Sequence, residues 1–279
     1  MNIINRTVIK EYEYAQVNLI TDYNGNKFIE KIQFHIPPVM QLDFEYNPIG
    51  LEIFESILKP LEIPHPRIIY SNQNEKCTTI IMEYIDGRNC EDEPKAKYLY
   101  LAAEKLGTIY NKSKMNMNRL DKSIIEKYSL TKEKILDYIK IINTNFHLPP
   151  MDSLIDYIFE KYQDRTVFVN HYDIQFKNFI YNDDLHLIDW DNVKIQPFFS
   201  DLPSLIGEAY KVGADINEIK KRYLQFAQIS SISDEDIKIG SLIGVILGVF
   251  SLLIFDCPLE WIEGSYNELQ DLVLSFDFH

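Results

Sequence analysis

The residues best suited to chemistry lie in one stretch, Val169–Leu202, which reads VNHYDIQFKNFIYNDDLHLIDWDNVKIQPFFSDL. It holds His171-x-Asp173-x-x-x-x-Asn178, then two short apolar segments, then Ile188-Asp189-Trp190-Asp191. An amide and carboxylates are hard oxygen donors, the kind Mg2+ selects. A carboxylate held beside an acceptor hydroxyl can take or orient its proton. Each of these residues taken singly is also an ordinary turn former around a hairpin, and for Asp183 and Asp184 that reading stands.

The elements that must position these groups follow from periodicity. Thr7–Tyr14 and Ala15–Tyr23 are rich in Tyr, Val, Ile and Thr, Asn24-Gly25-Asn26 signals a turn, and Lys27–Phe34 reads as a third strand. Leu51, Phe54, Ile57 and Leu58 then recur at helical spacing up to Pro60, and Thr78–Ile85 reads as a buried strand closed by Asp86-Gly87. Beyond Gly87 the pattern turns helical: Ala96 to Tyr110, Ile124 to Ile142 as one helix, and Leu154–Tyr162. Thr166–Asn170, Phe179–Tyr181 and Leu185–Trp190 read as short strands around a loop, and the chain is helical again from Leu202. Gly240–Phe255 is the longest apolar run, shorter than the ~20 residues of a bilayer span, and reads as a buried core helix.

The H-x-D-x4-N loop, the D-W-D that follows it and Pro197-x-x-x-Asp201-Leu202 together resemble the aminoglycoside phosphotransferase and choline kinase-like superfamily of the protein-kinase-like fold. The resemblance is strong in Val169–Leu202, fair in Lys31–Gly87 and weak after Leu205. It implies an α+β bilobal fold, with a small N-terminal lobe of antiparallel sheet and one main helix over residues 1–85. A larger, mainly helical catalytic and substrate-binding lobe over residues 86–279 follows, hinged at Asp86–Arg88. It also implies a phosphotransferase that moves the γ-phosphoryl group of ATP or GTP, with Mg2+, onto an alcohol.

The roles implied fall on particular residues. Asp173 serves the acceptor hydroxyl, with His171 bracing its loop, and Asn178 and Asp189 hold the metal. Lys31, mid-strand in KFIEKIQF, touches the phosphates and forms an ion pair with Glu52. The backbone of Glu83 and Ile85 bonds the base. Asp201 is structural, and Asp191 meets the metal or a cationic substrate, or serves only a turn. Asp256, Glu260 and Glu263, with Glu268 and Asp271, are candidates for gripping ammonium groups. The sequence departs from the pattern in three places. The loop Glu11–Ala15 has no glycine, Tyr172 and Lys177 stand where glycines are usual, and Gln175 stands where a polar or basic residue often helps the transferred phosphoryl. Lys177 is a candidate to supply that charge instead. The absence of D-F-G and of A-P-E argues against a eukaryotic-type protein kinase.

Composition narrows the partners. The chain has 28 basic and 42 acidic residues, a net charge of −14, which disfavours nucleic-acid and anionic-membrane surfaces. Residues 141–210 carry 4 basic and 11 acidic residues, and 251–279 carry none and 6; if both blocks line one cleft, it attracts cations. The acceptor expected is therefore a small cationic hydroxylated molecule, most simply an aminoglycoside or related amino-sugar. Choline or another amino alcohol is the alternative, as is a catalytically degenerate binding protein of the spore-coat type. Three widely spaced cysteines, Cys77, Cys90 and Cys257, offer no disulfide framework, so a reducing cytoplasm and a monomer are expected.

Overall fold

β-Branched and aromatic side chains dominate the first 34 residues, and they favour an extended, half-buried chain. In a computed structural model, which describes residues 2–12, 15–34, 51–254 and 257–276, β1 (Ile3–Tyr12), β2 (Ala15–Asp22) and β3 (Lys27–Phe34) form an antiparallel meander. β4 (Ile68–Gln73) and β5 (Cys77–Glu83) complete a five-stranded sheet of order β1-β2-β3-β5-β4. The register sets Lys31 opposite Val17 on one side and Ile80 on the other. β1 and β2 pair as far as Tyr12 and Ala15, so the glycine-free Glu11–Ala15 connection narrows to Glu13 and Tyr14, which lie outside the described residues. β4 was not expected. Its sequence IIYSNQ shows no alternation because the strand is an edge, largely exposed and held by backbone pairing to β5.

α1 (Leu51–Ile53) continues into one π-helical stretch, Phe54–Leu58. Eight residues are too few for a helix to stand alone in water. Ile53, Phe54, Ile57 and Leu58 are all buried, at about 2 kcal/mol each, and they pack into the same apolar core as residues of the helical lobe. At the hinge, a Cβ on Gly87 would meet Ile180 Cγ2 at 2.7 Å and the Tyr181 carbonyl oxygen at 2.8 Å, so close approach requires a glycine there.

The second lobe begins with α2 (Ala96–Asn116). The single helix expected over 124–142 is two, α3 (Lys122–Tyr128) and α4 (Lys132–Asn145). The Thr131 hydroxyl caps α4 by accepting from the Lys134 N–H at 3.2 Å, and Leu130 is buried in the break. After α5 (Asp152–Tyr162), β7 (Phe168–Asn170) pairs with an unexpected β10 (Lys194–Gln196), and a two-residue β6 (Arg88–Asn89) joins β8 (Phe179–Tyr181) and β9 (Leu185–Leu187). The expected strand to Trp190 stops at Leu187, because Asp189 takes a left-handed conformation (φ 64°) that turns the chain into a 3-10 turn over Trp190–Asn192.

α6 (Asp201–Val212), α7 (Ile216–Ala227), α8 (Asp234–Ile254) and α9 (Leu259–Leu274) complete the lobe. The apolar run anticipated from Gly240 belongs to a 21-residue helix, long and apolar enough by length and composition to cross a membrane. Here Leu242, Ile243, Ile246, Val249 and Phe250 are buried in an apolar cluster that residues of α4, α5 and α9 share.

Cys90 is fully buried, and burial pushes its thiol up to about 11; Cys77 and Cys257 are half-buried. A thiol reagent is therefore expected to titrate two cysteines rapidly in the native protein and the third only after unfolding, counted by mass.

Candidate active site

The loop after β7 is held from below by α6. Asp201, at the first position of that helix, accepts the His171 N–H at 2.7 Å and the Tyr172 N–H at 2.9 Å, one on each carboxylate oxygen. Burial raises its carboxyl above the ordinary aspartate range, partly offset by His171 and these two donors. Two turns on, the buried Glu208 accepts the Phe176 N–H at 3.4 Å. Asp201 and Glu208 are seven residues apart, so both face the loop from one side of the helix. Asp201 was expected here as a structural residue; Glu208 carried no signal in the sequence.

His171 is buried, with its ring 4.5 Å from Trp190. Its Nε2 lies 2.9 Å from the Ile188 carbonyl oxygen, and its Nδ1 accepts the Asp173 N–H at 3.3 Å. A carbonyl can only accept, so Nε2 is the nitrogen that donates to Ile188. Both ring nitrogens of His171 are used by the backbone, at Ile188 and Asp173.

Tyr172 supplies the bend where the superfamily pattern has glycine, and its φ of 69° explains that preference. Its side chain holds the conformation: the hydroxyl donates to Gln196 Oε1 at 2.6 Å and lies 3.1 Å from Ser200 Oγ. Tyr172→Phe is expected to destabilise the protein by about 1.5 kcal/mol, read by urea denaturation, since it orphans the Gln196 oxygen.

Asp173 follows, its side chain 15% exposed. Its carboxylate accepts from Gln175 Nε2 at 2.8 Å and lies 3.3 Å from Lys177 Nζ. Lys177 thus stands beside the residue expected to serve the acceptor. A 3-10 turn over Phe176–Asn178 brings Asn178 under the loop, where its Nδ2 donates to the Asp173 carbonyl at 2.8 Å. That bond leaves the amide oxygen as the atom able to bind a cation. The Ile188 N–H donates to the Asn178 carbonyl at 3.0 Å, which draws the turn against the chain that carries Asp189.

Lys31 reaches across from the sheet. Its Nζ donates to Asp189 Oδ1 at 3.0 Å and also bonds the Asp191 carboxylate. Burial alone would lower its pKa; the two carboxylates outweigh that and hold the ammonium charged well above the ordinary lysine range. Lys31 in turn holds the Asp189 carboxyl below the usual range. The ion pair expected between Lys31 and Glu52 is not formed. Glu52 Oε2 instead accepts from Lys127 Nζ and from the Tyr128 hydroxyl, each at 2.7 Å, because α1 packs on the helical lobe and turns its acidic residue toward α3.

Among the remaining expected residues, the Glu83 N–H is already donated to the Arg67 carbonyl at 2.9 Å, so a base along the hinge would find the Glu83 carbonyl and the Ile85 N–H. Asp191 faces Lys31 rather than standing free for a substrate ammonium. Glu260 and Glu263 are exposed on α9, with no hydrogen bond or ion pair to the Asp173 loop among the described residues, and Asp256 lies outside those residues. A cleft of about 490 Å³ opens beside the hinge, lined by residues that include Asp86, Arg88, Lys97 and Tyr181, and it contains none of Asp173, Asn178 or Asp189.

The donor set suits a divalent metal. Asn178 and Asp189 offer an amide and a carboxylate, both hard oxygens, and the single Lys31 set against the Asp189 and Asp191 carboxylates leaves that pair with net negative charge. Among the described residues no three His, Cys, Asp or Glu side chains cluster as a metal-binding group, so the amide is needed to complete the set.

No protein-family model matches the sequence, and no curated protein matches it. Solved structures do. Choline kinase LicA from Streptococcus pneumoniae is 17% identical and superposes with a TM-score of 0.65 over 93% of this chain and 90% of that one. Amicoumacin kinase hAmiN, in complex with AMP-PNP and Ca2+, is 14% identical with a TM-score of 0.61 over 95% and 88%. Spectinomycin phosphotransferase APH(9)-Ia, in complex with ADP, is 12% identical with a TM-score of 0.55 over 97% and 90%. The chain has the fold of the aminoglycoside phosphotransferase and choline kinase-like superfamily. At these identities the likeness is one of fold. In this chain the strand lysine Lys31 meets Asp189 and Asp191, and the turn that carries Asn178 is bonded to Ile188, while Glu52 lies with Lys127 and Tyr128 instead.

Proposed function

We propose that the protein is a small-molecule kinase that transfers the γ-phosphoryl group of ATP or GTP to a hydroxyl of a small cationic acceptor. The observation that carries this reading is Lys31 of the sheet bonded to Asp189 and Asp191, which follow the loop that bears Asp173 and Asn178. Phosphoryl transfer needs positioning and charge neutralisation more than covalent chemistry. Asn178 and Asp189 would hold Mg2+, which when bound neutralises charge on the phosphate oxygens. Lys31 would bind a phosphate, the Glu83 carbonyl and Ile85 N–H would bind the base, and Asp173 would orient the acceptor hydroxyl and take its proton. Lys177, 3.3 Å from Asp173, supplies a positive charge beside the point of transfer.

The acceptor proposed is an aminoglycoside or related amino-sugar, in keeping with the acidic excess of the chain. A choline-like amino alcohol is the second reading, supported by the match to choline kinase LicA. The test is nucleotide consumption with Mg-ATP and Mg-GTP across a panel of amino-sugars and amino alcohols. Turnover that depends on both acceptor and metal is expected with one class. A thermal-shift titration accompanies it, since nucleotide at 100 times its Kd stabilises by about 2.7 kcal/mol. Nucleotide binding without turnover on any acceptor would favour a kinase-like binding protein, and neither binding nor turnover would sink the assignment.

A further inference from the structure

We propose that Asp191 is the carboxylate that positions Lys31, and that Glu52 is instead a strut joining α1 to the helical lobe through Lys127 and Tyr128. The inference rests on the nucleotide site proposed above and concerns how its lysine is held. Lysine has a flexible four-carbon stem, so a point charge useful to a phosphate must be held by a partner. The sheet delivers Lys31 opposite Val17 and Ile80, from which it reaches Asp189 and Asp191. Asp189 is also the proposed metal ligand, so a bound cation draws on the same carboxylate. Asp191, two residues on and inside the 3-10 turn, is the carboxylate left to keep the lysine in place.

Glu52 is committed elsewhere. Both of its partners come from α3, and both are hydrogen bonds of 2.7 Å to one oxygen. Burial alone would raise its carboxyl, but Lys127 and Tyr128 outweigh that and hold it below the ordinary glutamate range. The helix that carries it is fixed as well. Ile53, Phe54, Ile57 and Leu58 share an apolar core with Leu99, Leu106, Trp190 and Val193. The segment after the helix is bonded to α2 and the turn that ends it: Lys112 Nζ donates to the Glu62 carbonyl at 2.6 Å, and Arg119 Nη1 to the Glu62 carboxylate at 2.5 Å. Carrying Glu52 to Lys31 would mean breaking two charge-assisted bonds and shifting buried side chains.

The experiment is a double-mutant cycle on ADP affinity, measured by calorimetry on the full chain. Lys31→Met and Asp191→Asn are each expected to weaken Mg-ADP binding about tenfold, and the double variant about tenfold in all, because the second change has nothing left to disrupt. Asp191→Glu, which keeps the charge, is expected to recover most of the affinity. The cost of Glu52→Gln is expected to multiply with that of Lys31→Met, and Glu52→Gln and Tyr128→Phe should lower the melting temperature. Repeating the cycle with ADP in EDTA separates lysine positioning from metal ligation, and the non-additivity of Lys31 and Asp191 should persist there. Multiplicative effects of Lys31 and Asp191, non-additivity that vanishes in EDTA, or non-additivity between Lys31 and Glu52 would each overturn the proposal. Wild-type protein that binds no ADP would instead overturn the nucleotide site itself.

Discussion

Asp201→Ala is expected to destabilise the protein by about 3 kcal/mol and to remove the candidate site with it. The carboxylate satisfies two backbone N–H groups, those of His171 and Tyr172, at a place where no water competes. A buried donor left without an acceptor costs about 1–3 kcal/mol. Two orphaned donors set the scale, less what is recovered by no longer burying a charge. Asn at this position keeps one acceptor and turns a second donor toward a donor, so Asp201→Asn should fall between wild type and alanine. Urea unfolding measures both. The pH dependence has a definite sign. Because burial holds this carboxyl above the ordinary range, the native chain takes up a proton there before the unfolded chain does. The advantage of wild type over Asp201→Ala should therefore grow as the pH falls from neutral through that raised value. An advantage that shrinks over the same window would show that the two N–H donors outweigh burial and hold the carboxyl below the ordinary range.

The second large effect concerns the rate rather than the fold. Asp173→Asn is expected to lower kcat for phosphoryl transfer about 1000-fold while changing the nucleotide KM less than threefold, since a positioned general base contributes about 10²–10⁴. The substitution preserves shape and leaves an oxygen to accept from Gln175 Nε2, now 2.8 Å away, so the loop should persist. What it removes is the site that can receive the acceptor's proton and the charge that faces Lys177. A fall of less than tenfold, with the acceptor identified, would take Asp173 out of that role.

Much of this arrangement was legible in the sequence, and the parts that were not have physical reasons. β3 was readable to the residue because the apolar and β-branched residues of Lys27–Phe34 follow directly on the Asn24-Gly25-Asn26 turn signal. β4 was not, because an edge strand is specified by its partner's backbone rather than by its own side chains. The break between α3 and α4 hid in Ser129-Leu130-Thr131, where a capping threonine follows an apolar residue that continues the helical pattern. In the site, His171, Asp173, Asn178, Asp189 and Asp201 stand close in sequence, so one motif carried them all. Lys31 could be placed from its strand alone. Its partner could not, since the choice among Glu52, Asp189 and Asp191 depends on how α1 docks, and that is decided by apolar residues of other elements. Lys127, Tyr128 and Glu208 are ordinary helix residues by type, and nothing short of the packing could have singled them out.

The docking of α1 bears on how the molecule opens. A boundary drawn at the hinge assigns this helix to the sheet, yet its apolar side belongs to the core of the other lobe. The strands join the base through residues 64–67 before β4 and 84–87 after β5, while α1 packs with the base itself. On the function proposed above, nucleotide entry would lift the sheet about these two segments. The fastest-exchanging amides on release of ligand should be those of residues 64–67 and 84–87, with the amides of 54–58 remaining slow.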